Sequence, residues 1–450
     1  MHMAAVSPAR AAAFDILMAV ERGSVHSDDL LRGRKVTALS AADRNLATAL
    51  VLGVLRWQIR FDHELQARLS RPNAKLDAEI RTALRLGAYQ LYFMDRIPAR
   101  AAIDESVELA KNAGHHFASR MVNAVLRKLA DDPWLDLPEE TPTELALAQA
   151  HPAWMVSRWA SFYGMEAARA ICAHGQRQAA QYLRVVDETV AEELVKEGVE
   201  VQEGKLLMRA RRVVAGDIPA TAAFLEGRVL LQDEGSQLVA EIAGHGAAIL
   251  DCCAAPGGKT LILAERNPAA RIVACEANEP RMERLRERLH KLGERVEFRL
   301  GDAAAIQDGN AFDLVLADVP CSGTGTLGRN PEIRHRLNSE DLTRQAQRQR
   351  TILSAALRGV RPGGRVTYST CSLEPEENEQ VVAAVLAEFP DIRIFPMRQR
   401  IEDMRSEGVL TESGAEQLIE CVTPEGALRL LPGTFDTDGF FVAQLSKTER

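Results

Sequence analysis

The sequence predicts a three-part chain: an all-α domain over residues 1–140, a linker and small α+β module over 141–231, and a doubly wound α/β domain over 232–450. Three observations lead there. Apolar residues recur at helical spacing as far as Leu129, strands alternate with helices from Ala247 onward, and a Pro- and acid-rich stretch, Asp131–Thr143, separates two textures.

In the first part, Phe117, Met121 and Val125 follow one helical face, as do Ile103, Val107 and Ala110. Ser40 is placed to cap a helix over Ala41–Arg56. Between Tyr182 and Leu231, short alternating runs flank one helix, Glu192–Glu197, and Gln232–Ala243 reads as a helix leading into the last part. There the strands are Ala247–Asp251, Arg271–Glu276, Val296–Leu300, Phe312–Ala317, Gly364–Ser369 and Phe440–Leu445. Helices fit between them over Lys259–Arg266, Pro280–Leu292, Ser339–Val360 and Pro375–Glu388. Repeated β-α-β units imply a parallel sheet that binds ligands at the carboxyl ends of its strands.

The 450 residues are 46% hydrophobic and 26% charged, which excludes collagen-like, coiled-coil and disordered classes. The apolar run Leu46–Leu55 stops at Arg56, about half of what a bilayer span needs. No signal-type segment opens the chain. Seven cysteines without a C-x-x-C spacing fit neither a zinc site nor a disulfide framework, so no metal and a cytoplasmic location are expected. The net charge of −8 argues weakly against a nucleic-acid partner, but the distribution of charge matters more than its sum.

The chemistry concentrates at strand ends. Asp251–Thr260 (DCCAAPGGKT) joins the first strand of the last part to its helix, and Gly257 and Gly258 let backbone approach a ligand closely. It matches neither a dinucleotide fingerprint nor a P-loop, so a ligand without phosphates is expected. Glu276 ends the second strand, where a carboxylate can accept both ribose hydroxyls of a nucleoside. Asp302 ends the third, placed for an adenine amino group. Two thiols follow the fourth and fifth strands, Cys321 in DVPCSGTGT and Cys371 in STCSLEPEEN. If those strands are neighbours, both thiols and Asp318 face one pocket. Cys172, Cys252, Cys275 and Cys421 read instead as small buried hydrophobes.

A thiol and a carboxylate beside a nucleoside cofactor suit one problem well. Carbon 5 of a pyrimidine is a poor nucleophile until a thiolate adds to carbon 6 and makes the ring an enamine. Protonating or hydrogen-bonding N3 offsets the developing ring charge, a task for a neutral carboxylic acid in a dry pocket.

These motifs, with DVPCSGTGTLGRNPEIR, TCSLEPEENE and a closing DGFFVAQL, resemble those of the RNA cytosine-5 methyltransferases that use S-adenosylmethionine. The likeness covers Gln232 to Leu445. Upstream, ARAAAFDIL, VLGVLRWQIRFD, IPARAAIDESVELAK and MVNAVLRK resemble the NusB-like helical domain that one branch of that family carries. The resemblance implies a Rossmann-like catalytic domain and cofactor contacts from Cys253, Ala254, Ala255, Pro256, Gly257, Gly258, Lys259, Glu276, Asp302 and Asp318. It makes Cys371 the nucleophile and gives Cys321 a part in product release, with Asp318 as the acid. The expected substrate is a cytosine in small-subunit ribosomal RNA, with transfer RNA second.

There are departures from the pattern. Cys252 replaces an aliphatic residue, and Glu276 stands where Asp is commoner. Val186 stands where the family has Asn, so an RNA contact from that Asn is not carried over. Met397–Thr423 is longer and more acidic than expected.

Basic residues cluster at Arg56–Arg71, Arg281–Lys291, Gly328–Arg336 and Arg344, Arg348 and Arg350. Arg281–Lys291 reads as a solvated helix face. The Gly328–Arg336 loop, directly after the Cys321 motif, is expected to contact RNA phosphate. Two rival readings stand. A DNA-type enzyme would use the Cys of Pro320-Cys321, and a non-catalytic antitermination-type factor would show a decayed turn or lost cysteines.

Overall fold

The computed structural model describes residues 6–23, 25–71 and 74–449. It divides into two compact units: residues 1–178 with Leu327–Arg336, and Ala179–Thr326 with 337–450. Among the described residues no helix is long and apolar enough to cross a membrane.

The first unit is all α. Its longest helix, Ala41–Arg68, starts at Ser40, whose Oγ accepts from the Asp43 amide at 3.1 Å. It continues past the expected end at Arg56 because Phe61 and Leu65 extend the buried face. Glu64 also braces Arg60 at 2.7 Å and Arg68 at 2.8 Å, both one turn away.

The compact helical unit does not end at Asp131–Thr143. Trp134 sits in an aromatic cluster with Trp57, Phe61, Tyr92 and Phe93, and the Arg60 guanidinium lies 4.7 Å from its ring centre. Arg60 also donates to the Leu135 carbonyl at 2.8 Å, and Arg68 pairs with Asp132 at 2.9 Å. The stretch is a strap across the helices, and the unit runs on through Met165–Gln176.

Leu327–Arg336 belongs to this helical unit although it follows the Cys321 motif. Arg334 is buried and donates to the carbonyls of Arg56, Ala150 and Gly175 at 3.0–3.1 Å. Burial pulls its pKa down to about 9. Glu332, fully buried, accepts from the Ser27 amide and hydroxyl at 3.1 and 3.0 Å. His335 bonds the Leu55 carbonyl at 2.7 Å, burial holding its pKa down at about 3, and Arg336 bonds the Val20 carbonyl at 3.0 Å. The expected phosphate contacts therefore fail for Arg334, His335 and Arg336, whose side chains bond backbone carbonyls.

The second unit holds two sheets. The small one is antiparallel, in the order β2 (Glu200–Glu203), β3 (Ala210–Ala215), β1 (Gln181–Val185), β4 (Val229–Leu231). Its helix starts at Glu188, earlier than expected, because Asp187 caps it by accepting from the Thr189 amide at 2.9 Å.

In the large sheet, β5 (Ala248–Asp251), β6 (Arg271–Glu276), β7 (Val296–Leu300), β8 (Phe312–Asp318) and β9 (Val360–Thr370) run parallel. β10 (Ile392–Ile394), β11 (Leu428–Leu430) and β12 (Phe440–Lys447) complete it, with the order β10-β12-β9-β8-β5-β6-β7 and β11 beside β12. β12 is antiparallel to β9.

Side chains alternate along each strand. Ile249, Ile272, Leu314 and Leu316 enter one core with the helices Glu234–Ala243, Gly258–Arg266 and Glu279–Leu289. Leu250, Val273, Val315 and Ala317 enter the other, with Ser339–Gly359 and Glu379–Glu388. The acidic stretch 397–423 forms helices Met397–Ser406 and Glu412–Glu420, whose Met397, Ile401, Met404, Ala415 and Leu418 join the first core.

Arg334→Ala removes the guanidinium donor from the carbonyls of Ala150 and Gly175 and one of two side-chain donors from that of Arg56, and is expected to destabilise the chain by about 3 kcal/mol. Urea unfolding measures this. A loss below about 1 kcal/mol would show that water or a neighbour replaces the guanidinium.

Candidate functional site

The site lies at the carboxyl ends of β5, β6, β8 and β9. Because β8 and β9 are parallel neighbours with Asp318 opposite Ser369, the loops bearing Cys321 and Cys371 leave the sheet side by side. Their sulfurs are 3.3 Å apart. Gly325 sits between them: its amide donates to the Cys371 carbonyl at 2.9 Å and its carbonyl accepts from the Gly439 amide at 2.8 Å. A Cβ there would lie 2.5 Å from the Gly439 oxygen, so only glycine lets the strands close this tightly.

The two thiols differ. The hydrogen bond with Cys371 and then burial push Cys321 well above the usual thiol range. Cys321 is therefore the thiol held protonated, within hydrogen-bond distance of the Cys371 sulfur.

Asp318 accepts at both oxygens, from Lys259 Nζ at 2.9 Å and from Ser369 Oγ at 2.7 Å. Lys259 also donates to Ser236 Oγ at 2.9 Å. Burial works against its charge, but Asp318 outweighs burial and raises the Lys259 pKa.

A cavity of about 560 Å³ brings together Cys253, Glu276, Asp302, Asp318, Cys321 and Cys371, and also Arg281, Arg348 and Ile352. A smaller one, about 140 Å³, is lined by Asp251, Ala254, Pro256, Gly258, Lys259, Gln232 and Ser236, and shares Cys253 and Asp318 with the first. Glu276 accepts from the Asn278 amide at 2.9 Å and lies 3.5 Å from Arg281, which also donates to the Ala255 carbonyl at 3.0 Å. Asp302 both lines the cavity and caps the turn after β7, accepting from the Ala304 amide at 3.0 Å.

Ala255 and Gly257 line neither cavity. Gly257 is left-handed, φ +99°, and a Cβ there would press on Leu285 at 3.0 Å; beside it, Gln232 fills the space next to Gly258. Gly257 thus serves the turn and helix packing, while Gly258 lines the smaller cavity.

The basic groups sort by partner. Arg344 pairs with Asp341 and Arg350 with Glu388, while Arg348 lines the larger cavity. Arg281 faces the site, contrary to its reading as part of a solvated face.

Sequence reasoning missed a buried polar cluster behind the thiols. Glu377 Oε1 accepts from the Ser322 amide at 2.9 Å and Gln349 Nε2 at 2.8 Å, and Oε2 accepts from the hydroxyls of Ser322 and Ser372. The sequence signal was a repeated Cys-Ser dipeptide followed by an acid-rich turn.

A doubly wound sheet with an acid-lined cavity and two apposed thiols, behind a helical domain, defines a methyltransferase with an N-terminal NusB-type domain. The profile of the 16S rRNA methyltransferase RsmB/F family matches residues 242–446, that of the NusB family residues 7–131, and a RsmF/B-like ferredoxin-like domain residues 151–214. The chain is 33% identical over 453 residues to the "Probable ribosomal RNA small subunit methyltransferase B" of Bacillus subtilis, covering 97% of this chain and 98% of the relative. It is 32% identical over 455 residues to ribosomal RNA small subunit methyltransferase B of Pseudomonas putida, covering 97% and 98%. The crystal structure of PH0851 superimposes with a TM-score of 0.78 at 25% identity, over 98% of this chain and 99% of that one. The chain belongs to the 16S rRNA methyltransferase RsmB/F family.

Asp251 lies at the foot of the smaller cavity. Thr260 donates to its Oδ2 at 2.7 Å, but no side-chain donor meets Oδ1. Burial, reinforced by Asp318, pushes its pKa up to about 6. Between the ordinary aspartate range and that value the folded chain holds a proton that the unfolded chain has released, so raising the pH across this window lowers stability. Asp251→Asn keeps the Thr260 bond and removes the charge. Above pH 6 it is expected to stabilise the chain by about 1–3 kcal/mol, a gain that vanishes near pH 4. Urea midpoints at pH 4 and 8 that show no such difference would refute this.

Proposed function

We propose that this chain transfers a methyl group from S-adenosylmethionine to carbon 5 of a cytosine in RNA, through a transient bond between Cys371 and carbon 6. Small-subunit ribosomal RNA is the proposed substrate, supported by the names of the full-length relatives. The observation that carries the reading is the pair of sulfurs 3.3 Å apart beside the Lys259–Asp318 pair.

The acids fit the cofactor. Glu276 and Asp302 on the larger cavity suit a ribose and an adenine, and the Asp251 oxygen without a side-chain donor suits the cationic amino-acid end. When bound, S-adenosylmethionine supplies an electrophilic methyl.

The chain's residues do the rest. Cys371 Sγ bonds carbon 6 as the ring double bond opens and electron density moves toward carbon 5 and N3. Asp318, steadied by Lys259 and Ser369, faces the developing charge, and the Lys259 ammonium can pass a proton to Asp318 Oδ2 for delivery to N3.

The thiol order follows from the same geometry. The largest cause that keeps Cys321 protonated is its bond to Cys371. Once Cys371 is bonded to carbon 6 that cause weakens, so Cys321 can give its proton to solvent water and, as the thiolate, take the proton from carbon 5. The Cys371–carbon 6 bond then breaks with its electron pair leaving on Cys371 Sγ, the ring recovers its double bond, and the N3 proton returns to Asp318.

Cys371→Ala is expected to abolish methylation and never to give a covalent adduct. Cys321→Ala is expected to methylate once and stall as a denaturation-resistant protein–RNA complex. A denaturing gel with labelled RNA distinguishes them, and adducts from Cys371→Ala but not Cys321→Ala would reverse the roles, as a DNA-type mechanism requires. Bisulfite sequencing of ribosomal and transfer RNA from a deletion strain tests the substrate, and unchanged ribosomal RNA would sink that part.

A further inference from the structure

We propose that Glu377 is a positioning residue for both thiols, setting the distance and relative orientation of Cys321 and Cys371 from between their loops. The inference rests on the reading of Cys371 as nucleophile and Cys321 as base.

Glu377 is wholly buried, and each donor it meets is neutral. Two of them follow the thiols directly: Ser322 comes after Cys321 and Ser372 after Cys371. The serine hydroxyls also lie 2.9 Å apart, so the carboxylate and two hydroxyls form a triangle spanning both loops. Gln349 ties the triangle to the helix behind it, donating to Glu377 at 2.8 Å and to the Pro320 carbonyl, one residue before Cys321, at 2.9 Å.

A buried carboxylate without a cation is an expensive way to hold two loops, because burial of charge opposes folding. Its use here matches a geometric need. Addition at carbon 6 and proton removal at carbon 5 act on adjacent ring atoms, so the sulfurs must reach neighbouring points, and a displacement of about 1 Å can cost a hundred-fold in rate. The charge has a second effect. After the bond to Cys371 and burial, Glu377 adds to the causes that hold Cys321 protonated.

The test uses the full chain with Glu377→Gln and Gln349→Met. Glu377→Gln keeps the shape, since the amide oxygen can accept from Ser322 and Gln349 and the amide NH2 can donate to the serine hydroxyls. It removes the charge. Alkylation by iodoacetamide, read at the Cys321 peptide by mass spectrometry over a pH series, is expected to show a midpoint lower by about one pH unit. A purely structural role would leave that midpoint where it is.

Gln349→Met keeps the charge and loosens the loops. With S-adenosylmethionine and substrate RNA, its covalent adduct is expected to clear about ten-fold more slowly than that of the unaltered chain. If both variants alkylate Cys321 with the unaltered profile and clear adduct at the unaltered rate, Glu377 does not position the thiols. A shifted midpoint together with no adduct from any form, the unaltered chain included, would support the positioning role and overturn the proposed reaction.

Discussion

The pairing of β8 with β9 is the constraint on which the rest of the second unit depends. In that parallel register Asp318 stands opposite Ser369, and the ladder continues one step beyond through the Val319 amide to the Ser369 carbonyl at 3.0 Å. Both strands then release their loops from the same edge of the sheet. Ser369 can reach Asp318, Gly325 can dock on Cys371, and the two sulfurs meet only because this register holds. A slip of one residue would turn Asp318 and Ser369 to opposite faces and separate the thiols.

Around that pairing the chain gathers charges that a core built for stability alone would exclude. Lys259 and Asp318 compensate one another, but Asp251 has only Thr260 as a side-chain donor and Glu377 only neutral partners. Each lies where its charge opposes folding: Asp251 at the smaller cavity, Glu377 behind the two sulfurs. The thiols share the same economy. The contact between the sulfurs, with burial, raises the pKa of Cys321, so two identical side chains sit in different surroundings.

Much of this was legible in the sequence because it rests on local period and position. Alternation along 271–276 and 312–318 fixed strands whose odd and even residues enter different cores, and acids and cysteines at strand ends converged as the topology requires. What failed were inferences from composition. The Pro- and acid-rich 131–143 stretch resembles a linker until Trp134 finds four aromatic neighbours on other helices. The run at 334–336 resembles a phosphate site until its acceptors are known, and these are carbonyls of residues far away in the sequence, such as Arg56, Ala150 and Gly175. Glu377 was hidden for the same reason: its side-chain partners come from three segments, and acid-rich turns usually face water.

Leu327–Arg336 shows what such long-range satisfaction implies for the loop that carries Cys321. The chain leaves the catalytic unit after Thr326 and rejoins it at Leu337, and the ten residues between belong to the helical unit. Their buried groups are satisfied only there: Glu332 by Ser27, His335 by Leu55, Arg334 by Arg56, Ala150 and Gly175. A buried cation or carboxylate without its partners is strongly disfavoured. The segment therefore has a well-satisfied conformation only when the helical unit is folded. The ten residues after Thr326 thus take their partners within the helical unit, while Cys321 itself belongs to the second unit.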